Sequence, residues 1–475
     1  MAGAYKIDCM RRREFLAQAA VASTAQPQIS GGKRRNVLLL IADDLGLFIP
    51  SYGDPNAVMP NVEASAREGV RFSNAFCTTA SCSASRSVIL SGLYNHANGQ
   101  YGHAHAEHHF AYLPEVKPLP SLLKGAGYAT GYIAKLHVAP EERFGWGLAD
   151  PMGSRDVFRM AEVARKFIHE AGAQPWYLHC GFHDPHRAGT GFANRDWPRV
   201  KRLRLDPATI KVPSYLPDNP EARADLVEYY EACNRFDQGI GFMMDVLREA
   251  GQIDNTMVLI MSDHGAPFPN AKTTAYDAGL RVPLIVHCPE ARGVVNEAMT
   301  NWADITPSIL EWTGVEAPEY PLHGRSWLPI LGQRNPSGWD RVYISHTFHE
   351  VIDYYPVRGV RTREYKYLHN LVPGAIYPHA TDLWASPTWQ SVRKQGNAGK
   401  IGKRPVDRYL HRPAEELYDI QHDPDEIVNL AGSPAHQPLL KQFRADTEQF
   451  RKNTEDPWVK HPVESGETGD AAFTR

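Results

Sequence analysis

The chain has 475 residues, 43% of them hydrophobic, and a formal net charge of −3. At about 150 residues per domain, that length accommodates two or three domains with a sizeable buried core. The nearly balanced charge, with no long basic run, argues against nucleic acid as a partner, and no stretch is long and apolar enough to span a membrane. The 37 glycines and 36 prolines are interleaved with aromatics, which points to structured loops. The six cysteines, Cys9, Cys77, Cys82, Cys180, Cys233 and Cys288, lack the paired spacing of a zinc ribbon or disulfide framework.

The N-terminal stretch MRRREFLAQAAVASTAQ carries Arg12 and Arg13, then Phe15 and Leu16, then an alanine-rich run ending in small residues. This order is that of a twin-arginine export signal, with Met10 as an alternative start and the periplasm as the destination. Residues 1–33 are therefore expected to be signal and linker. The next segment, RRNVLLLIADDLG, is a short apolar run emptying into two carboxylates, the form of a buried parallel strand. ATGYIAKLH, PWYLHCGFHDPH, TMVLIMSDHG and VPLIVH share that form. Helical patterns lie between them at Pro60 to Glu68, Pro120 to Ala126, Val157 to Ala171 and Arg223 to Gly251. Strands alternating with helices predict an α/β fold with a doubly wound, mostly parallel sheet over residues 34–340. Beyond 340, RVYISH, VRGVRTREYKYLHN and AEELYDI read as short strands without long helices between them. Residues 341–475 are expected to form a smaller antiparallel-sheet subdomain closed by a helix around Gln437 to Asn453.

Ligands in such sheets bind at the carboxyl ends of the strands. Four strand ends carry ionisable pairs: Asp43 and Asp44, Lys135 and His137, His183 and His186, Asp263 and His264. Taken singly, ADD is equally a solvated turn or a helix cap, and SDHG a turn. Lys135 and Lys272 would ordinarily be surface lysines. The segment SCSASRSVILSG, residues 81–92, sets a cysteine among small residues at the start of a helix. A helix start lowers a thiol pKa or holds an anion, and a buried structural cysteine is the plainer reading.

Together these blocks resemble the sulfatase family. Its signature, Cys or Ser, any residue, Pro or Ala, any residue, Arg, is met by Cys82-Ser83-Ala84-Ser85-Arg86. NVLLLIADDLG, GYIAKLH, SDHG, PFPNAKTTAYDAGLRVPLIV, DITPSIL and ELYDIQHDPDEIVNL also stand in family order. Within the family, GLYNHANGQYGHAHAEHHF, FHDPHR, FHEVIDYYPVRGV, YLHNL, SPTW and DPWV resemble the N-sulfoglucosamine sulfohydrolases, the sulfamidases. The resemblance implies the alkaline-phosphatase-like fold and a hydrolase that releases sulfate from the N-sulfate of glucosamine at glycan ends. It implies that Cys82 is converted by a maturation enzyme to formylglycine, whose hydrate is the nucleophile.

The implied metal ligands are Asp43, Asp44, Asp263 and His264, with residue 82 beside them. The metal is one divalent ion, calcium by family habit. His264 stands where sulfamidases usually carry asparagine, and an imidazole makes manganese a candidate as well. Arg86, Lys135 and Lys272 would neutralise the sulfuryl oxygens, His186 would protonate the leaving nitrogen, and His137 would act as base. His183, Arg187, His349 and Glu350 are implied substrate contacts, and His103, His105, His108 and His109 pocket wall. The expected partner is a sulfated amino sugar or glycosaminoglycan oligosaccharide, and a homodimer is compatible with the sequence. Two other readings remain: an O-sulfatase or phosphonate monoester hydrolase of the same superfamily, and a sulfated-glycan binding protein with Cys82 unconverted.

Overall fold

The computed structural model describes residues 35–189 and 191–460, so the export segment lies outside the described residues. Eight strands build the large sheet: β1 (Asn36–Ala42), β2 (Val70–Phe76), β3 (Ala129–Ala134), β4 (Leu148–Asp150), β5 (Trp176–Gly181), β6 (Thr256–Ser262), β7 (Arg281–His287) and β8 (Val294–Asn301). Their order is β4-β3-β5-β1-β6-β7-β2-β8. The central strands β1, β5 and β6 are buried along their whole length, as apolar runs without alternation require.

Along β1, Val37, Leu39 and Ile41 enter one core and Leu38, Leu40 and Ala42 the other, because successive side chains point to opposite faces. Helices Cys82–Ser91, Leu119–Gly125 and Ile305–Thr313 cover the first face. Helices Val157–Ala171 and Pro220–Glu249 cover the second. Asp156 and Asn219 cap these two, each side chain accepting a backbone N–H of the first turn. This is the doubly wound arrangement that the alternation of strands and helices predicts.

One strand departs from expectation. The VPLIVH segment in β7 runs antiparallel to both its neighbours, β6 and β2. A parallel return needs a crossover that carries the chain to the far edge of the sheet. Residues 263–280 instead stay at the carboxyl edge, with only the short helix Asp277–Leu280, so β7 starts there and runs back.

The second sheet comprises β9 (Arg341–His346), β10 (Val357–Thr362), β11 (Tyr365–Asn370) and, after a short ribbon of β12 (Lys400–Ile401) and β13 (Arg404–Pro405), β14 (Glu415–Asp419). Its order is β14-β11-β10-β9, antiparallel throughout. Helix Gln437–Asn453 packs Leu440 and Phe443 against Val360, Tyr367 and Leu417 of this sheet. The excursion between β11 and β14 carries short helices, including Thr381–Trp384, which returns to the carboxyl edge of the large sheet.

Candidate active site

The strand ends of β1, β3, β5 and β6 converge as the sequence predicts. Two glycines make the convergence possible. A Cβ on Gly181 would sit 1.9 Å from the Lys135 carbonyl oxygen, and one on Gly265 would sit 2.1 Å from that of Ala278. Asp44 holds the left-handed conformation, φ 67°, which aspartate tolerates. Its N–H donates to Asp263 Oδ1 at 3.0 Å, and its carbonyl accepts from Tyr229 Oη at 2.7 Å.

The helix Cys82–Ser91 is buried at every residue, which explains its small side chains. Ser85 Oγ donates to the Asp263 carbonyl at 2.5 Å, binding the helix directly to the end of β6. Cys82 Sγ then lies 3.2 Å from His264 Nε2 and 3.9 Å from Asp44 Oδ1. Burial pushes the thiol well above its usual range, although Lys135 and Lys272 pull the other way. Burial thus opposes a free thiolate at this position.

Around it, carboxylates and cations are interleaved. Arg86 Nε donates to Asp263 Oδ2 at 3.0 Å, and Arg86 Nη2 lies 3.4 Å from Asp43 Oδ1. Lys135 Nζ donates to Asp43 Oδ2 at 2.6 Å. Lys272 Nζ donates to Asp44 Oδ2 at 2.9 Å and to Asp382 Oδ2 at 2.6 Å. Burial raises both aspartates. For Asp43 the charges of Lys135, His186 and Arg86 outweigh it and hold the carboxyl well below its usual range. For Asp44 burial prevails over Lys272 and His264, and the pKa rises to about 6. Neither lysine is a surface residue, since Lys272 is wholly buried and Lys135 nearly so.

The donors fit a divalent cation. Asp43, Asp44 and Asp263 each offer an oxygen within 4.8 Å of the others, and Cys82, Asp263 and His264 form an overlapping set. His264 Nδ1 lies 3.0 Å from the Gly265 carbonyl oxygen, so the ring proton belongs there. Nε2 then turns its lone pair toward Asp44 Oδ1 at 3.0 Å. Nε2 and the Asp44 oxygen are thus placed as nitrogen and oxygen donors that a divalent cation at this centre would share.

A cavity of about 660 Å³ opens above this centre, lined in part by His137, His183, His186, His349 and Glu350. His186 Nε2 lies 3.9 Å from Asp44 Oδ2 and 3.8 Å from Asp382 Oδ2, and its Nδ1 lies 2.5 Å from the Arg187 carbonyl oxygen. Burial and Lys272 hold this imidazole well below its ordinary range. His183 Nε2 lies 3.0 Å from the Met152 carbonyl oxygen. His349 Nδ1 lies 3.0 Å from Ser81 Oγ, and its Nε2 lies 3.0 Å from His103 Nε2.

Two proposed substrate contacts are already engaged within the protein. The Arg187 guanidinium is buried and forms a bidentate pair with Asp225 at 2.7 and 2.8 Å, with Nε donating to the Pro267 carbonyl at 3.0 Å. Glu350 accepts from Thr381 N at 3.1 Å and from Thr381 Oγ1 at 2.7 Å. These bonds hold the turn that presents Asp382. Sequence reasoning missed Asp382, because a single aspartate within ATDLWASPTW carries no spacing signal. Its Oδ1 is buried without a hydrogen-bond partner among the described residues.

Comparison with known proteins follows the same lines. Residues 35–315 match the family model described as Sulfatase. The chain belongs to the sulfatase family. A second model, described as N-sulphoglucosamine sulphohydrolase, C-terminal, matches residues 269–385 of this sulfatase. Human N-sulphoglucosamine sulphohydrolase is 37% identical over 463 residues, covering 90% of this chain and 92% of its own. Among solved structures, BT4656 in complex with D-Glucosamine-2-N, 6-O-disulfate superimposes with TM-score 0.65 at 19% identity, covering 90% of this chain and 99% of that one. The Phosphonate Monoester Hydrolase of Agrobacterium radiobacter does so with TM-score 0.65 at 18% identity, covering 89% and 96%. These two likenesses establish the fold. By family, this sulfatase is a sulfuric ester or sulfamate hydrolase.

Proposed function

We propose that this sulfatase hydrolyses the N-sulfate of N-sulfoglucosamine at glycan ends, as part of glycosaminoglycan breakdown. One observation carries the reading. The segment matching the sulphoglucosamine sulphohydrolase C-terminal model, residues 269–385, is the one that supplies Lys272, His349, Glu350 and Asp382 to the cavity wall. The resemblance thus covers the walls that face the sugar as well as the shared sulfate centre.

In this reading a maturation enzyme converts Cys82 to formylglycine, and a hydroxyl of the aldehyde hydrate attacks sulfur. Asp43, Asp44, Asp263 and His264 would hold one divalent cation, calcium or manganese, which supplies charge neutralisation and a more acidic hydroxyl at residue 82. Arg86 positions Asp43 and Asp263. Lys135 and Lys272 face the sulfuryl oxygens and offset their developing charge. His186 protonates the departing nitrogen, the sulfamate's own negative charge favouring the imidazolium that the empty pocket disfavours. His137 takes the proton from the second hydroxyl, the bond to sulfate breaks, and the aldehyde re-forms. Asp382 holds Lys272 and faces His186.

Export through the twin-arginine signal of residues 1–33 belongs to the same proposal, since a folded enzyme with a preloaded metal suits that route. His264, in place of asparagine, favours a second reading, an O-sulfatase or phosphonate monoester hydrolase. Side-by-side rates on N-sulfoglucosamine, an aryl sulfate and an aryl phosphonate decide between them. The sulfamidase reading expects kcat/KM to be highest for N-sulfoglucosamine; preference for the phosphonate overturns it. Intact-mass analysis of the Cys82 peptide separates both from a binding protein, which would retain the thiol.

A further inference from the structure

In the wall of the same cavity three imidazole nitrogens converge. His137 Nε2 lies 2.6 Å from His105 Nδ1 and 3.2 Å from His103 Nδ1, and the three atoms fall within 4.8 Å of one another. His103 and His105 come from the loop that follows helix Asn95–Asn98, and His137 from the turn that follows β3. A neutral imidazole carries one proton and one lone pair. His137 Nδ1 is buried without a partner among the described residues, so Nε2 is the nitrogen through which this ring meets its neighbours.

The trio has the attributes of a metal site. Tetrahedral zinc at 2.0–2.1 Å from each nitrogen sets them about 3.3 Å apart. The His103–His137 spacing of 3.2 Å already meets this. His105, on an exposed loop, has to withdraw by only about 0.7 Å to meet the same spacing. His103 is oriented from behind, its Nε2 lying 3.0 Å from His349 Nε2, whose Nδ1 lies 3.0 Å from Ser81 Oγ. That is the outer-shell support a ligating histidine ordinarily has. Lys135, whose charge opposes positive charge at all three rings, is paired with Asp43 at 2.6 Å, and Glu107 and Glu350 favour positive charge at His105. An all-nitrogen set selects zinc-like ions over calcium, which separates this site chemically from the oxygen-rich centre.

We infer that His103 Nδ1, His105 Nδ1 and His137 Nε2 form a second cation site, which takes Zn²⁺ or an ion of like preference and, by occupying the His137 lone pair, slows turnover. The slowing rests on the base role given to His137 above; the binding does not. The test is a Co²⁺ titration of the calcium-loaded full-length enzyme, followed by the visible bands of four-coordinate cobalt and by displacement with Zn²⁺. Wild type is expected to show the bands. His105→Ala and His103→Leu are expected to weaken binding by more than about tenfold, the loss that even an outer-shell change produces. No bands on wild type, or unchanged bands and affinity in both variants, overturns the site. In parallel, the Zn²⁺ concentration that halves the rate is expected to rise by a similar factor in His105→Ala. Zinc bound to wild type with turnover unchanged would leave the site standing and remove the braking, together with the base role of His137.

Discussion

Cys82 is completely buried and burial opposes its thiolate, which accords with the proposed conversion to formylglycine. Cys82→Ala removes one buried heavy atom at a helix start, a loss of about 1 kcal/mol by analogy with deleting one methylene. Turnover is expected to fall to trace levels while denaturant unfolding stays nearly unchanged. More than trace activity in the purified variant would refute the formylglycine nucleophile. The roles proposed for His186 and His137 differ in what they serve. The leaving nitrogen of a sulfamate needs a proton, whereas an activated aryl sulfate leaves without one. His186→Ala is therefore expected to cost N-sulfoglucosamine hydrolysis about 10²–10⁴ more than aryl sulfate hydrolysis, the range of a positioned general acid. With His137 as the proposed base, His137→Ala should impair sulfate release, which both substrates share, so both rates should fall together and sulfated enzyme should accumulate. Equal losses for His186→Ala remove it from the acid role and move His183 into it.

The carboxyl-terminal elements are held by charge as much as by packing. Asp456, which directly precedes the short helix Pro457–Lys460, accepts from Arg358 of β10 at 2.8 Å and from Arg451 of helix Gln437–Asn453 at 3.0 Å. Burial raises the Asp456 carboxyl, but Arg358 outweighs it and holds the group far below the usual carboxylate range. A depressed native pKa stabilises the fold above the unfolded value near 3.9 and loses that contribution as pH falls through the native value. Asp456→Asn is thus expected to destabilise by about 3–5 kcal/mol at pH 7, the cost of leaving buried arginines unpaired. The difference from wild type should shrink below about pH 4, where the unfolded wild-type chain takes up a proton that the native carboxylate still resists. A difference independent of pH would show that Asp456 acts by shape and not by charge. Element by element, strands with continuous apolar runs and the helical patterns between them were legible. The direction of β7 was not, because VPLIVH reads the same whichever way its neighbours run.

Across the whole molecule, the buried carboxylates Asp43, Asp44 and Asp263 are matched by Arg86, Lys135 and Lys272. Asp382 adds one more carboxylate on Lys272, so these cations offset most of the site's negative charge, and chelation should leave a folded, inactive protein. A ligand present at a hundredfold excess over its Kd adds about 2.7 kcal/mol of stability. Chelation is therefore expected to lower Tm by a few degrees and abolish turnover, with calcium or manganese restoring both. Active protein found free of divalent metal by elemental analysis would refute the carboxylate centre.

The sequence by itself determined the alternation of strand and helix, the ionisable residues at four strand ends, and the Cys82-Ser83-Ala84-Ser85-Arg86 signature. Each is local: a strand buried on both faces must be apolar throughout, and its carboxyl end must turn polar where it meets solvent or ligand. Only the tertiary structure decided which polar residues meet. It gave the Arg187 guanidinium to Asp225, tied Glu350 to Thr381, and carried Asp382 to Lys272 from an excursion 110 residues further along the chain. It also drew His103, His105 and His137 together from two separate loops. Such pairings depend on where loops land after the two cores have packed, and neither periodicity nor spacing records that.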